Sequence, residues 1–271
     1  MSGYLQYVTS IRRPFGAKRL REENGVCTAC GSEASFKFVD VITDELKDEW
    51  GISKYLQRCY SYRESMYCSV CNCSGRLRAL ALAISYVYGE GATPLSNLIK
   101  DGRFDKLNVA EINACGDMHA ILTKIKGLNY SEYAPRNKSI RHEDLQALSY
   151  KNESLDLVLT SDTLEHVPDY MLALKEIYRV LKPGGHHIFT IPLLFSRKTR
   201  RRIALKGGEV VETMKGSYHG SGEPDNLVAS EFGIDFLDDL RSIGFSTTIY
   251  FANPVDMNEV NFVLVTRKAD T

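Results

Sequence analysis

The clearest hydrophobic pattern of the chain runs through residues 155–192, where two apolar runs flank an amphipathic segment. LDLVLT is a short and mostly apolar run, as expected of a strand in a sheet that is covered on both faces. From Met171 to Leu181 the apolar residues recur at helical spacing, with charged residues between them. Pro183 and the two glycines after it stop this helix, and HHIFTIP begins the next strand. The segment predicts a parallel crossover of an α/β domain.

The same periodicity predicts elements on both sides of this unit. SGRLRALALAISYVYG is rich in Ala and Leu and predicts a helix that is started by Ser74. The run from Leu107 to Ile112 predicts a strand, and residues 117–126 predict a helix behind it. EFGIDFLDDLRSIGF predicts an amphipathic helix that ends at Gly244. STTIYFA and NFVLVTRK then predict an antiparallel hairpin that closes the sheet.

Three phrases in the central segment resemble the late motifs of class I S-adenosylmethionine-dependent methyltransferases, especially the type 11 group. They are SLDLVL, LEHVPD and EIYRVLKPGG, and they occur with the following IFTIP in the order and spacing of that family. The resemblance implies an α/β, Rossmann-like fold with a seven-stranded sheet. It also implies S-adenosylmethionine as the cofactor and methyl transfer as the reaction.

Length and charge set the outline of the molecule. The 271 residues allow a methyltransferase domain at 74–271, with a lid-like insert at about 193–230, and an N-terminal segment at 1–73. The 34 basic residues balance the 34 acidic ones, so attraction to a polyanion has to come from local patches. No run has the ~20 apolar residues of a membrane span, and the N-terminus lacks the apolar core of a signal peptide. We therefore expect a cytoplasmic protein.

Two C-x-x-C turns predict a zinc site in the N-terminal segment. They hold Cys27 and Cys30 in VCTACG, and Cys68 and Cys71 in YCSVCNC. Each turn directs two thiolates to one point, and two turns complete a tetrahedral site. Cysteines of a reducing compartment are poor disulfide candidates, so a metal is the better interpretation than four separate thiols. Four thiolates leave no position open for a reacting water, which predicts a structural role; Cys73 is a substitute ligand.

The residues after the second turn carry a further resemblance. C-x-x-C-x-C-S-G-R-L-R, together with YHG and EFGIDFLDDLRSIGF, resembles zinc-bearing bacterial methyltransferases associated with polysaccharide synthesis. It implies that Arg76 and Arg78 lean over the active site and that the acceptor is a sugar, a glycan or a sugar phosphate. The alternative for both arginines is a solvated helix start.

The loop after the first strand departs from the pattern of the methyltransferase family. The family carries E-x-G-x-G-x-G there, whereas this chain reads EINACGD from Glu111 onwards and keeps only Gly116, out of register. Those glycines allow a tight turn and a close approach of the backbone to the cofactor. Asn113 tolerates left-handed backbone angles and Ala114 is small, so we expect a modified cofactor loop rather than a lost one.

Acidic residues after later strands complete the predicted cofactor site. Glu132 follows the loop acid by about 20 residues, where a carboxylate accepts both ribose hydroxyls of an adenosine; an ordinary solvated acid is the alternative. Asp144 falls where the family places the acid that meets the adenine amino group, with Leu145 as an apolar edge. Ser161 and Asp162 close the fourth strand, at the edge where ligands of open α/β sheets bind.

Two histidines are candidates for the catalytic base. A hydroxyl acceptor has to lose its proton during methyl transfer, and histidine suits that task near neutral pH. His166 lies in LEHVPD, a phrase shared by methyltransferases of unrelated substrates, so a structural role is its alternative. His219 lies in SYHGSGEPDN, after Tyr218 as a substrate contact, and its alternative is an ordinary loop histidine.

Basic residues cluster in FSRKTRRR, at the start of the predicted insert. As part of a lid over the substrate pocket, Arg200 and Arg201 would contact an anionic acceptor such as a phosphate or a sugar pyrophosphate. RNA is the rival acceptor, and a solvated charged face is the non-functional alternative.

Three functions fit these features. The first is an S-adenosylmethionine-dependent O-methyltransferase that acts on a sugar or glycan intermediate and carries structural zinc. The second is a zinc-bearing RNA methyltransferase, in which arginines and zinc knuckle form one basic track; the zero net charge argues against it. The third is a non-catalytic binding module with a decayed glycine loop. Cofactor binding separates the third function from the others, and salt dependence of nucleic-acid binding separates the second from the first.

Overall fold

The computed structural model describes residues 22–89, 91, 93–206, 209–217, 227–251 and 260–270. The strands are β1 (Glu22–Val26), β2 (Glu33–Lys37), β3 (Tyr67–Cys68), β4 (Val109–Ile112), β5 (Asn129–Glu132), β6 (Arg141–His142), β7 (Leu155–Ser161), β8 (Leu181–Thr190), β9 (Leu193–Leu194), β10 (Arg200–Arg201), β11 (Ile203–Lys206), β12 (Glu209–Glu212), β13 (Ser230–Gly233), β14 (Ser246–Phe251) and β15 (Phe262–Arg267). The helices are α1 (Asp44–Trp50), α2 (Lys54–Glu64), α3 (Gly75–Tyr88), α4 (Leu95–Lys100), α5 (His119–Leu122), α6 (Tyr170–Val180) and α7 (Phe236–Ile243), with 3₁₀ turns at Gly116–Met118 and Leu164–His166.

Seven strands form the central sheet, in the order β14-β15-β8-β7-β4-β5-β6. The strands from β8 to β6 are parallel, whereas β15 pairs antiparallel with both β8 and β14. This arrangement confirms the predicted class I methyltransferase sheet and its closing hairpin. The order of the parallel strands reverses between β4 and β7, which is where open α/β sheets bind their ligands.

Alternation along the strands sends apolar side chains to both faces of the sheet. Leu157 and Leu159 of β7 pack in the core shared with α3 and the N-terminal residues. Val158 packs in the core shared with α6 and α7 on the other face. The sheet is thus covered on both sides, as its apolar strands predict.

The N-terminal residues 22–89 form a small unit that packs on one face of this sheet. β1, β2 and β3 form an antiparallel sheet, and α1 and α2 follow β2. The predicted start of α3 is confirmed, because the Ser74 hydroxyl accepts from the Leu77 N–H at 3.4 Å. A Cβ at Gly75 would lie 2.9 Å from the Tyr62 carbonyl oxygen, so only glycine lets α3 start this close to α2.

Three predicted boundaries differ from the structure. The first strand of the large sheet begins at Val109 and not at Leu107. The helix expected over 117–126 was too long, because α5 ends at Leu122. Turns with backbone hydrogen bonds three residues apart follow it, and Gly127 has a left-handed backbone conformation. The residues before Phe236 are not helical, because β13 there pairs with β9 and β10.

The chain between β8 and α7 folds back on itself as short strands. β13 lies between β9 and β10, and β11 pairs with β12 in a separate hairpin. A Cβ at Gly233 would collide with the Arg197 carbonyl oxygen, so this strand crosses its neighbour closely. Within the described residues, no helix has both the length and the apolar character needed to cross a membrane.

Candidate active site

A cleft of about 690 Å³ opens at the carboxyl ends of β4, β5 and β7. Its volume lies within the range of small-molecule and cofactor sites. Eight predicted residues line it: Asn113, Ala114, Glu132, Asp144, Leu145, Ser161, Asp162 and His166. Further lining residues that the sequence did not single out include Tyr130, Tyr133, Arg136, Gln146 and Thr163. Tyr133 directly follows Glu132, and Gln146 directly follows Leu145. Their positions next to predicted site residues could have indicated both.

The modified loop turns at Asn113, as the sequence predicts. Asn113 has φ 58° and its N–H donates to the Ser131 carbonyl at 2.9 Å. Its side-chain oxygen accepts from the Tyr133 N–H at 2.9 Å, which links the ends of β4 and β5. Asparagine adopts this left-handed conformation at low cost because its short polar side chain bonds locally. The turn therefore forms without the family's first glycine.

Glu111 lies beneath this loop and does not line the cleft. Its side chain is fully buried, and it accepts hydrogen bonds from the Cys115 N–H at 2.8 Å and from His119 Nδ1 at 2.6 Å. Burial raises the pKa of Glu111, and these two donors oppose the rise. Gly116 also lies outside the lining; a Cβ there would stand 3.0 Å from Leu77. Both residues shape the loop rather than face the cleft.

Glu132 connects the loop to the end of β5. Its Oε1 accepts from the Ala114 N–H at 3.1 Å and from the Tyr130 hydroxyl. The side chain is half-buried in the wall of the cleft. The carboxylate therefore lies at the carboxyl end of β5 in the cleft wall, and it also holds the backbone of the loop.

The far wall of the cleft is the turn at 143–146. Asp144 Oδ1 accepts from the Gln146 N–H at 2.8 Å, and Leu145 is buried beside it. Glu143 is 2 % exposed and accepts from the Ser149 N–H at 2.9 Å and from Arg141 Nε at 2.6 Å. The turn thus places two acids, Glu143 and Asp144, and the apolar side chain of Leu145 against the cleft.

A buried charge cluster closes the end of β7. Asp162 has φ 46° and accepts two hydrogen bonds of 2.7 Å from Arg63, which is 1 % exposed. Arg76 Nε lies 3.3 Å from Asp162 and 3.0 Å from Glu64, and its Nη1 donates to Ser161. Burial alone would raise the pKa of Asp162, but the two guanidiniums lower it below its usual value.

Arg76 thus contacts two residues of the cleft lining, Ser161 and Asp162, whereas Arg78, which was also expected to lean over the active site, does not approach the cleft. Arg78 points to the other side of α3, where its guanidinium stacks 3.8 Å above the Phe36 ring and donates to the Met66 carbonyl. Two positions along a helix are about 200° apart, so the two arginines cannot share one face. Arg63 was missed, because nothing near it in sequence indicates its partner 99 residues away.

His166 lines the cleft with its imidazole held in one orientation. Its Nδ1 lies 3.0 Å from the Leu227 carbonyl oxygen, which only accepts, so this nitrogen carries the proton. Its Nε2 lies 3.8 Å from Oε1 of Glu165. Burial lowers the pKa of His166 below its usual value, which favours the neutral imidazole, and it raises the pKa of Glu165 well above its usual value. A neutral imidazole with its lone pair on Nε2 has the state that a general base requires.

The predicted acceptor contacts are only partly described. Tyr218 and His219 lie outside the described residues. Arg200 Nε donates to Glu231 at 2.9 Å, and Arg201 donates to the Pro168 carbonyl and stacks over the Tyr170 ring. Neither arginine lines the cleft.

The four predicted zinc ligands converge on one point. The Sγ atoms of Cys27, Cys30, Cys68 and Cys71 all lie within 4.8 Å of one another. The Cys27–Cys71 pair is 3.8 Å apart and the Cys30–Cys68 pair 3.9 Å apart. The Val70 N–H lies 3.4 Å from Cys68 Sγ, a donor that would stabilise a thiolate. The arrangement suits a metal ion held by one thiolate pair from each turn.

Part of the chain that forms the cleft matches a known protein family. Residues 99–189 match the family model described as a methyltransferase domain. Demethylmenaquinone methyltransferase of Alkalihalophilus pseudofirmus is 36 % identical over 74 residues, covering 23 % of this chain and 31 % of that protein. The same enzyme of Staphylococcus aureus is 47 % identical over 49 residues, covering 18 % and 20 %. The chain thus spans less than a third of the length of these relatives. The domain match supports the predicted class of enzyme, an S-adenosylmethionine-dependent methyltransferase.

Solved structures with a similar fold are distant in sequence. An N1-methyltransferase for 1,6-didemethyltoxoflavin from Burkholderia thailandensis is 14 % identical, covers 88 % of this chain and 96 % of its own, and has a TM-score of 0.44. An S-adenosylmethionine-dependent methyltransferase from Mesorhizobium loti is 16 % identical, covers 61 % and 92 %, and has a TM-score of 0.40. None of these proteins carries a link to polysaccharide synthesis in its name, so that association stays a prediction.

Proposed function

We propose that this protein is an S-adenosylmethionine-dependent methyltransferase whose cofactor lies across the carboxyl ends of β4, β5 and β7. The observation that carries the proposal is the cleft, which gathers the Asn113 turn, Glu132 and the Asp144 turn at the switch point of a class I sheet. Adenine would lie against Asp144 and Leu145, and the ribose against Glu132. The sulfonium end would then point toward the end of β7.

The charge of the cleft supports a cationic ligand. Its described lining holds four carboxylates and one guanidinium, namely Glu132, Glu143, Asp144, Asp162 and Arg136. Arg63 and Arg76 compensate Asp162, and Arg141 compensates Glu143, which leaves the carboxylates of Glu132 and Asp144 against Arg136. A cleft lined mainly by one sign of charge attracts the opposite sign. A sulfonium cofactor fits this lining better than a nucleotide polyphosphate does.

Binding of the cofactor and methyl transfer are separate tests. Calorimetry with S-adenosylhomocysteine and S-adenosylmethionine is expected to give one site per chain. Absence of any binding would favour the non-catalytic module. A methyl-transfer screen against nucleotide sugars, oligosaccharides and RNA then identifies the acceptor.

For the acceptor we propose a hydroxyl of a sugar, glycan or sugar phosphate, with His166 as the general base. The neutral imidazole in the wall of the cleft supports a hydroxyl acceptor, because a hydroxyl needs a base and a strongly nucleophilic amine does not. The ion pairs of the arginines after β9 favour a small acceptor over RNA. Arg197, Arg200 and Arg202 all pair with Glu231 and so form no free basic track among the described residues. Steep salt dependence of acceptor binding would reverse this preference.

Glu132→Gln is expected to weaken binding of S-adenosylmethionine about ten- to a hundredfold. The amide keeps one oxygen for the Ala114 N–H but loses the charge that strengthens bonds to two ribose hydroxyls. Calorimetry measures the change in affinity. Glu153→Gln is the matched control, because that acid lies just before the amino end of β7, whereas the cleft lies at the carboxyl ends of the strands. Equal affinity in the two variants would make Glu132 an ordinary loop acid.

We further propose that the cysteine cluster holds one structural zinc ion. A tetrahedral site with Zn–S bonds of about 2.3 Å has sulfur atoms about 3.8 Å apart. The measured 3.8 and 3.9 Å separations fit that geometry, whereas a disulfide requires about 2.05 Å. With four thiolates as ligands, zinc would stabilise the fold and take no part in the transfer.

A further inference from the structure

A second, smaller cavity of about 40 Å³ lies beyond the end of β8. We call it the side cavity. Its walls include Trp50, Tyr60, Pro192, Arg197, Ser230 and Glu231. Its volume exceeds the ~10 to 15 Å³ that one water needs, and it suits a group of a few heavy atoms.

The side cavity adjoins the acceptor side of the cleft. Tyr60 in its wall lies one helical turn from Arg63, which binds Asp162 in the cleft. Val228 lines the side cavity, and the preceding residue, Leu227, lines the cleft. Since the adenosine end of the cofactor would lie toward β5, a group beyond β8 lies on the side from which the acceptor approaches the methyl.

Two buried donors in the wall of the side cavity have no hydrogen-bond partner among the described residues. They are the Ser230 hydroxyl, on a fully buried residue, and Nε of Arg197. The other nitrogens of Arg197 are engaged, with Nη1 donating to the Trp50 carbonyl at 3.0 Å and Nη2 at 3.0 Å from Glu231. Buried donors usually find a partner, so two in one wall indicate a missing acceptor group.

The charge around the side cavity is not balanced by the described residues. Arg197, Arg200 and Arg202 share Glu231, which is 7 % exposed. Arg202 also has Glu49 at 3.7 Å, so three cations face two carboxylates. Burial lowers the pKa of Arg197, as expected for a cation that its partners compensate incompletely. One more negative charge would neutralise the group.

The remaining walls select against a large, strongly hydrated anion. Trp50 and Tyr60 meet edge to face with ring centroids 5.7 Å apart, and both line the side cavity. A planar carboxylate could accept from Arg197 Nε and the Ser230 hydroxyl while its carbon stem contacts these rings. A phosphate dianion needs more donors than these two and more room.

We propose that the side cavity binds a carboxylate group of the methyl acceptor, through Arg197 and Ser230. The substrate class is thus a carboxylate-bearing hydroxyl compound, such as an acidic sugar. The part of this inference that concerns the acceptor rests on the proposed methyltransferase function, whereas the carboxylate site itself can be tested alone.

The experiment uses Trp50, the single tryptophan of the chain, as the reporter. The full-length protein, saturated with S-adenosylhomocysteine, is titrated with sodium acetate while tryptophan fluorescence is followed. Sodium chloride holds the ionic strength constant, and acetamide serves as the neutral probe of equal shape. We expect saturable acetate binding with a dissociation constant on the order of 1 mM and no binding of acetamide.

Ser230→Ala is expected to weaken acetate binding about tenfold or more, because it removes one donor to the charged group. Thr247→Val is the matched control: Thr247 on β14 also has a buried hydroxyl for which the described residues supply no partner, but it does not line the side cavity. The variants should bind S-adenosylhomocysteine as the wild type does. Arg197→Gln should abolish acetate binding if it folds, and Ser230→Ala keeps the test decisive if it does not.

Equal acetate affinity in Ser230→Ala and Thr247→Val would overturn the proposal, and so would acetamide binding as tightly as acetate. Inorganic phosphate binding in place of acetate would overturn the choice of carboxylate. Failure to bind S-adenosylhomocysteine contradicts the proposed function and leaves the acetate result standing on its own. With an acceptor in hand, the acid should have a Michaelis constant at least tenfold below that of its primary amide, and Ser230→Ala should remove that difference.

Discussion

Replacing Cys27 and Cys68 together with serine is expected to abolish zinc binding and to unfold the N-terminal unit of this protein. The two substitutions remove one ligand from each turn, and the two remaining thiolates alone do not hold a structural zinc ion. Apparent zinc binding energies of ~10 to 16 kcal/mol are as large as the whole unfolding free energy of a typical domain, about 5 to 15 kcal/mol. β1, β2 and β3 hold five, five and two residues, so the unit has little sheet structure of its own to replace that energy.

The measurement is zinc content by elemental analysis, together with the thermal midpoint. Cys59→Ala is the control, because Cys59 is also a fully buried cysteine but lies on α2, outside the cluster. It should keep one zinc ion per chain and lose only the one or so kcal/mol of an ordinary side-chain truncation. A wild-type protein without zinc, or a double variant that melts at the wild-type temperature, would contradict the site.

Loss of the metal should also weaken ligand binding in the cleft. The second cysteine turn leads directly into α3, which carries Arg76 to Asp162, and Asn72 in that turn donates to Asp117 at 3.0 Å. Thr28 of the first turn donates to the Arg78 carbonyl at 2.7 Å. Treatment with a chelator is therefore expected to weaken binding of S-adenosylhomocysteine, even though none of the four cysteines lines the cleft.

His166→Asn is expected to lower turnover about 10²- to 10⁴-fold while leaving the affinity for S-adenosylmethionine within a factor of about two. The reason is that a base acts on the proton of the acceptor and not on the cofactor. His186→Asn is the matched control, since that half-buried histidine lies in the middle of β8 and does not line the cleft, with its Nδ1 3.3 Å from the Tyr88 hydroxyl. His219→Asn should be measured beside it, because the sequence favours His219 as the base.

The pH dependence gives a second measure of the same prediction. Burial lowers the pKa of His166 below its usual 6.5, so more than half of the imidazole is neutral at pH 6.5. Turnover should therefore keep more than half of its plateau value at pH 6.5 and fall as the pH drops through the lowered pKa, where the base becomes protonated. A loss of turnover that is already half complete at pH 6.5, or normal turnover in His166→Asn, would assign the proton transfer to another group.

The arginine-rich phrase shows how a correct local observation can point to the wrong surface. The sequence predicts that Arg200 and Arg201 face an anionic acceptor. In the structure β13 brings Glu231 against this phrase, and Glu231 accepts from Arg200 and Arg202. These pairs join residues about 30 positions apart, so a charge count along the chain could not show the neutralisation. Nε of Arg197 is a buried donor that no described residue satisfies, and only the packing of β13 reveals it.

Features that depend on neighbouring residues were determined by the sequence alone. Ser74 caps α3 because a hydroxyl three residues before an N–H can accept from it wherever the helix lies. β14 and β15 pair because both carry strand-forming residues and follow one another along the chain. Asn113 turns the loop because its own backbone tolerates φ 58°. The sheet order followed from motifs that already specify a fold.

Contacts between distant segments were decided only by the tertiary structure. Glu111 and Glu132 look alike in sequence, yet one is sealed under the loop and the other lines the cleft, because β4 is central in the sheet and β5 lies nearer its edge. Arg63 meets Asp162 only after α2 packs across the end of β7. The energies of such pairs depend on burial and distance, which local spacing does not encode. The cysteine cluster depends on both kinds of feature. Each C-x-x-C turn is local and can be read from the sequence, but only the tertiary structure brings the two turns together.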